Sequence, residues 1–330
     1  MAAGLGTRLR PLTHEIPKPL VPVANRPIME HILALLAGHG LTEIVANLHW
    51  YGDTIRGRFG DGSGLGVDLA YSEEEKLLGT AGGVRNVRSF FGDEPCVVMA
   101  ADALTDIDLG ALARAHAERD WMATLAVTRV TDTSEYGVVV TGSDGRVEGF
   151  QEKPDPAEAL SDLANCMIYV LEPEIFDHFP DQEEVDFALD VFPALLEADV
   201  PFGVHVTDGY WNDVGSLPEY LQGNMDVLTG AIEVEPAGEL IGEDGGAGVE
   251  PSADVTGPVL LGEGASVGAG ASLEGPLVIG PGASIGAGAR VRESVLLPGT
   301  EVPADGLLAG AIAGNARALA GAETAPKHGG

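Results

Sequence analysis

Four short stretches hold residues that could bind phosphate and a divalent cation. The chain opens with AAGLGTRLRP, where Gly4 and Gly6 leave backbone N–H groups bare and Thr7 and Arg8 add a hydroxyl and a fixed cation. That composition suits a phosphate cradle. HEIPKPL places Lys18 ten residues after Arg8, on a stretch kept extended by Pro17 and Pro19. In MAADALTDID, Asp102 directly follows the apolar run CVVMAA. A carboxylate at the end of a strand can ligate magnesium, the cation with which an acidic protein would hold a nucleotide. Asp213 in GYWNDVGSLPEY ends a short aromatic run. Each stretch also has a plainer reading by itself, because glycines make turns and aspartates cap helices and turns.

Charge sets the context for these residues. The 330-residue chain carries 18 basic and 51 acidic side chains, a net charge of −33, which argues against nucleic acid or an anionic membrane as partner. There are only four lysines, Lys18, Lys76, Lys153 and Lys327, and two of them stand directly before proline, in IPKPL and QEKPD. No run approaches the roughly 18 apolar residues of a spanning helix. Arg8 and Arg10 precede any apolar stretch, unlike a signal peptide, so the expected location is cytoplasmic. Cys96 and Cys166 lack metal-site spacing and read as reduced core thiols.

The elements that must position these residues alternate along the first two-thirds of the chain. EIVANL (43–48), VDLAYS (67–72) and CVVMAA (96–101) read as short buried strands bounded by turn residues. PIMEHILALLAGHG sets Ile28, Ile32, Leu35 and Leu36 on one helical face, with Pro27 before it and Gly38 and Gly40 at its end. After DALTDID, Leu109, Leu112, Ala113 and His116 repeat the pattern. Strand and helix in alternation predict an α/β fold with a doubly wound, mostly parallel sheet, in which ligands bind at the carboxyl ends of the strands.

From about residue 231 the texture changes to Gly, Ala, Pro and Glu. Within it Val249, Val255, Leu261, Val267, Leu273, Ile279, Ile285, Val291 and Leu297 recur every six residues, with Ala253, Ala265, Ala271, Ala283 and Ala289 four places after five of them. One inward aliphatic and one small residue per six is the pattern of a triangular parallel β-helix of about three coils, and the stretch resembles the hexapeptide repeat of left-handed β-helices. The expected division is a catalytic domain over 1–230, a linker over 231–248, the β-helix over 249–310 and a tail over 311–330. The β-helix is expected to join subunits into a homo-oligomer, and a chain ending near Gly230 to keep its chemistry. Hexapeptide acyltransferases use a histidine base, and no histidine lies between His205 and His328.

In combination, GLGTRLRPLT, KPL, DALTDID, EKP and the W-x-D-V-G around Asp213 resemble the sugar-1-phosphate nucleotidyltransferases, over about residues 1–230. Within that family DALTDIDL, YGVVVTGSDGRVEGFQEKP and the hexapeptide tail look most like the mannose-1-phosphate guanylyltransferase branch. The resemblance implies that Gly4, Gly6, Thr7 and Arg8 cradle a nucleoside triphosphate and that Lys18 neutralises it. Gly79, Thr80 and Gly82 in LLGTAGG would lie next to base and ribose. Asp102 and Asp213 would hold Mg2+, and Gly137, Glu152, Lys153 and Asn165 would touch the sugar 1-phosphate. The implied substrates are GTP and mannose 1-phosphate. A glucose-1-phosphate thymidylyl-, uridylyl- or adenylyltransferase, or a non-catalytic regulatory subunit of the same fold, are the alternatives.

Three features depart from the family pattern. Met167 in NCMIYV stands where a small residue is usual, and Ala101 where glycine is more frequent. The third concerns the phosphate loop, which in such a sheet hangs from a central strand, whereas only Met1 to Ala3 precede Gly4. The sequence therefore predicts a start placed too late, with about five to eight residues rich in Val, Ile and Ala upstream and Met1 at the end of the strand they form.

Overall fold

The helix expected after Pro27 forms as Ile28–Gly38 and buries Ile28, Ile32 and Leu36 in a computed structural model that describes residues 1–314 and 317–320. The chain divides into two compact units. One joins Met1–Leu5 to Ile32–Trp211; the other joins Gly6–His31 to the residues from Asn212 on.

In the first unit the expected strands form as Glu43–Leu48, Asp68–Glu73 and Cys96–Met99. The first two pair in parallel. The main sheet is mixed. Gly203–Val206 runs parallel to Ala123–Arg129, but Leu163–Leu171 runs against Ala123–Arg129, Cys96–Met99 and Gly137–Thr141. That nine-residue strand is buried along most of its length, so its sequence shows no alternation from which a direction could be read. On one face it packs Tyr169 against Phe187 and Phe192, and Phe192 stacks with Phe202 in a fully buried aromatic cluster. The helix Leu109–Ala117 forms as expected, its first turn capped by the Asp108 carboxylate accepting the Ala111 N–H at 2.9 Å. Both cysteines are free thiols, and burial pushes the Cys96 thiol up to about 12.

In the second unit the repeat folds as a parallel β-helix. One face stacks Asp254–Thr256, Ser272–Glu274, Arg290–Arg292 and Leu307–Ala309 in parallel. A second stacks Val259–Leu261, Leu277–Ile279, Val295–Leu296 and Ile312–Gly314, and a third stacks Ser266–Val267, Ser284–Ile285 and Glu301–Val302. Val255, Leu261, Val267, Leu273, Ile279, Ile285 and Val291 fill the interior as the six-residue register requires.

The register then loses one residue. Leu261 pairs with Ile279, eighteen residues on, but Ile279 pairs with Leu296, seventeen on. Leu296 therefore occupies the core in place of Leu297, and Val302 and Leu308 follow it. The shortened corner is Arg292-Glu293-Ser294. Its buried Ser294 hydroxyl donates to the Arg292 carbonyl at 2.6 Å and accepts the Ala311 N–H at 3.1 Å, so the tighter turn leaves these backbone groups bonded. The stretch 231–248 also contributes a strand: Glu239–Ile241 pairs antiparallel with Val259–Leu261 at one end of the stack and buries Ile241 in the helix core. Of the tail over 311–330, residues 315–316 and 321–330 lie outside the described residues.

Candidate active site

Within the second unit Arg8 and Lys18 both meet one aspartate, Asp213. Gly6, at φ 59, starts a turn over Thr7–Leu9, and the Thr13 hydroxyl donates to its carbonyl at 2.7 Å. A Cβ on Gly6 would lie 2.9 Å from the Lys18 Cβ, so both conformation and close approach require glycine there. Lys18 is buried, and its ammonium donates to the Asp213 carbonyl at 2.7 Å. Arg8, which is exposed, reaches the Asp213 carboxylate at 3.2 Å.

The Asp213 loop is wound tightly to present this carboxylate. Its other oxygen accepts the Gly215 N–H at 3.0 Å, the Asn212 side chain accepts the Val214 N–H at 2.7 Å, and Val214 sits at φ 45. The Leu217–Thr229 helix begins three residues later with Ser216 capping Glu219. Burial raises the Asp213 pKa, and the Glu219 carboxylate raises it further, against the opposing pull of Lys18 and Arg8.

Gly4 and Asp102 belong to the first unit. A Cβ on Gly4 would meet open space, so packing gives no reason for that glycine. Asp102 follows Cys96–Met99 by three residues and is partly buried. Sequence reasoning missed the network beside it. The buried Asn47 carboxamide accepts the Ala2 N–H at 2.7 Å and donates to buried Glu74 at 2.7 Å, whose other oxygen accepts the Leu78 N–H at 3.1 Å. The start of the glycine loop and the start of LLGTAGG are thus held by one pair of side chains. An asparagine inside the apolar run EIVANL was the available signal.

Gly79, Thr80 and Gly82 come together at the head of the helix Gly79–Asn86, where the Ala81 and Gly82 N–H groups both bond the Val185 carbonyl at 2.9 Å. Gly79 is at φ 78, and its Cβ would lie 2.3 Å from that carbonyl. The Thr80 hydroxyl donates to Asp186 at 2.7 Å and accepts the Phe187 N–H at 2.9 Å. All three residues therefore have a packing role, in addition to any contact with a base.

The sugar-phosphate candidates form two groups. Gly137 pairs with Glu152 across two antiparallel strands, and a Cβ on Gly137 would lie 3.1 Å from the Glu152 carboxylate. Lys153 follows at φ 46, exposed, its N–H donating to Tyr136 at 3.0 Å. Asn165 sits at a register shift in its strand: it accepts the Met167 N–H at 3.0 Å and donates to the Tyr169 hydroxyl at 3.0 Å. Met167 is held at φ 57, a conformation that favours glycine, and its sulfur receives the Tyr169 hydroxyl at 3.2 Å.

Asp102 in the first unit and Asp213 in the second each have the chemistry to hold a hard cation. Asp102 and Asp213 offer only carboxylate oxygens, and among the described residues no three His, Cys, Asp or Glu side chains gather into a metal cage. Magnesium is commonly bound by one or two carboxylates together with substrate phosphates and water, so a lone aspartate fits its chemistry. Burial is the chief cause that raises the pKa of Asp213, and a bound cation would favour its charged form. No helix among the described residues is long and apolar enough to cross a membrane.

Comparison with known proteins identifies the family. Residues 1–230 match the family model described as nucleotidyl transferase. The chain is 38% identical over 281 residues to a UTP–glucose-1-phosphate uridylyltransferase of Synechocystis, covering 79% of this chain and 72% of that one. It is 35% identical over 271 residues to a mannose-1-phosphate guanylyltransferase of Mycobacterium tuberculosis, covering 80% and 74%. Among solved structures, HddC from Yersinia pseudotuberculosis superposes with a TM-score of 0.60 at 23% identity, covering 68% of this chain and 96% of that one, a likeness of fold.

Proposed function

The chain belongs to the nucleotidyl transferase family as a sugar-1-phosphate nucleotidyltransferase, and within that activity we propose that it joins GTP and mannose 1-phosphate to give GDP-mannose and pyrophosphate. The single observation that carries the chemistry is the convergence of Arg8 and Lys18 on Asp213, two cations and a carboxylate held by a tightly turned loop. The guanylyl and mannose assignment is supported by likeness to the mycobacterial guanylyltransferase.

In this reaction an oxygen of the sugar phosphate attacks the α-phosphorus, a P–O bond forms, and the bond to pyrophosphate breaks. The nucleophile is already an anion, so no general base is needed. The obstacle is repulsion between two polyanions, and catalysis is positioning plus charge neutralisation. Arg8 and Lys18 offset the charge of the leaving phosphates. Lys153 holds the incoming phosphate, and Glu152 accepts hydrogen bonds from sugar hydroxyls. Asp102 and Asp213 would hold magnesium, which when bound offsets further phosphate charge. The proposed setting is the cytoplasm.

A second reading, UTP with glucose 1-phosphate, is favoured by the Synechocystis relative. A matrix of GTP, UTP, dTTP and ATP against mannose and glucose 1-phosphates, read by pyrophosphate release with magnesium present, decides between them. Fastest turnover with GTP and mannose 1-phosphate is expected. Preference for another pair replaces the substrate assignment, and no release from any pair gives way to a regulatory subunit.

A further inference from the structure

Met167 carries a long side chain on a backbone conformation that suits glycine. Its φ of 57 lies in the left-handed region, where Leu163–Leu171 shifts register against Ala123–Arg129 between Asn165 and Tyr169. The kink is pinned from both sides. The Met167 N–H donates to the Asn165 carboxamide at 3.0 Å, and the Met167 carbonyl accepts the Ala100 N–H at 3.1 Å. The Cys166 carbonyl accepts the Trp211 indole N–H at 3.0 Å. Residues held in such a conformation persist where their surroundings over-determine them, and they cluster at ligand sites.

The side chain completes a ring of contacts. The Tyr169 hydroxyl donates to the Met167 sulfur at 3.2 Å and accepts the Asn165 amide at 3.0 Å. The one proton of the phenol is thus taken by the thioether, which fixes the Met167 side chain in place. Met167 packs partly against the aromatic cluster and is half-buried.

Strand register brings this ring beside the sugar-phosphate candidates. Ala164 stands opposite Val138, and Gly137 opposite Glu152, in antiparallel pairs of neighbouring strands. Asn165, Gly137 and Glu152 therefore fall in one row across three strands, where paired side chains share a face. Gly137 in the middle has no side chain. The row is a notch floored by backbone, two strand spacings or about 10 Å between Glu152 and Asn165. Met167, tied to Asn165 through the ring, borders the notch at its Asn165 end.

We infer that Met167 sets the upper size of the sugar, admitting hexose 1-phosphates and turning away those enlarged by an N-acyl group. The inference rests on the sugar-1-phosphate reading of the site. The thioether fills space where the backbone conformation favours a bare glycine, and it offers the polar atoms of an acyl group no strong hydrogen-bond partner.

Met167→Leu, Met167→Ala and Met167→Gly test the gate in the full chain. Each is assayed by pyrophosphate release, with magnesium and the nucleoside triphosphate that the native chain prefers. Mannose 1-phosphate is compared with N-acetylmannosamine 1-phosphate, and glucose 1-phosphate with N-acetylglucosamine 1-phosphate. The ratio of kcat/KM, acetylated over plain, is expected to stay within about twofold of native in Met167→Leu. It should rise in Met167→Ala and reach about tenfold or more in Met167→Gly, carried by KM for the sugar phosphate with KM for the nucleotide unchanged. A merely structural role would slow both sugars alike, and an unchanged ratio in the folded variants overturns the inference. So does a rise in Met167→Leu equal to that in Met167→Gly. Thermal melts identify the folded variants, and if one fails to fold the other two carry the comparison. Release by the native chain with an unchanged ratio in the variants removes the size gate alone; no release from any chain with any sugar removes the sugar-1-phosphate reading and the gate together.

Discussion

The Lys18 ammonium lies 2.7 Å from the carbonyl of Asp213, the same residue whose carboxylate Arg8 reaches at 3.2 Å. Two cations from the start of the chain thus meet on one residue, the lysine buried and the arginine exposed. Their roles should differ accordingly.

Arg8→Ala removes an exposed cation and no core packing. Turnover is expected to fall about 10²–10³-fold, the cost of losing one group that stabilises developing charge, with the melting temperature nearly unchanged. Lys18→Met should lower both, because it also takes a bond from the Asp213 loop. Steady-state kinetics paired with thermal melts separate the two; equal melting losses would contradict the distinction.

Asp102→Asn and Asp213→Asn should each depress turnover by several kcal/mol of barrier, if holding magnesium is shared between them. Both should shift the magnesium dependence of the rate to higher concentration. A variant that lost activity with an unchanged magnesium curve would not be a metal ligand.

Lys153→Ala should act on the other substrate. A charge-assisted hydrogen bond is worth roughly 1.5–3 kcal/mol, so KM for the sugar phosphate should rise about ten- to a hundredfold while nucleotide affinity stays the same. Nucleotide titration by calorimetry alongside the kinetics checks this division of labour.

His31 gives a pH signature. It is buried, bonded to the Val23 carbonyl at 3.0 Å, and faced by Arg26 and Glu30. Burial chiefly lowers its pKa below 6.5, so in the folded state it stays neutral while the unfolded chain takes up a proton. Stability should therefore fall as pH drops below about 6.5, where the unfolded state binds more protons. Melts from pH 7.5 to 5 should show this slope in the native chain and a shallower one in His31→Gln.

A chain ending at Gly230 should lose turnover as well as the self-association expected of the β-helix. The Gly6–His31 segment shares a unit with the β-helix: the Asn25 amide donates to the Ile279 carbonyl at 3.1 Å, and Arg26 pairs with Glu235 at 3.6 Å. Sequence reasoning treated the β-helix as separable from the chemistry, but its second coil supports the segment that carries Arg8 and Lys18. Reduced turnover is expected together with a smaller species in sedimentation. Full activity in a monomeric truncated chain would show that this support is dispensable.

How much of this was legible in the sequence depends on whether a residue's role is local. Gly6 is fixed by its own φ and by nearby Lys18, and the alternation of strands and helices follows from short-range pattern. Inward β-helix positions were legible through Val291, where composition and spacing agree. The loss of one residue at Ser294 was not, because Leu296 and Leu297 are equally apolar and only the stack of coils chooses between them. The Asn47–Glu74 pair was hidden for a similar reason: 27 residues separate its members, and neither forms a motif alone. The direction of Leu163–Leu171 depends on three partners distant in sequence.

The shortened corner also bears on growth. Early coils of the β-helix have a perimeter of eighteen residues and later ones seventeen, so the prism tapers along its axis. The wide end is closed by Glu239–Ile241, which runs against the coils it covers. A second molecule arriving end-on would bring a narrower triangle to a wider one, and would meet a strand of opposite polarity where a continuing coil needs a parallel one. The same missing residue that moves Leu297 out of the core thus also works against the runaway head-to-tail stacking to which open solenoid ends are prone.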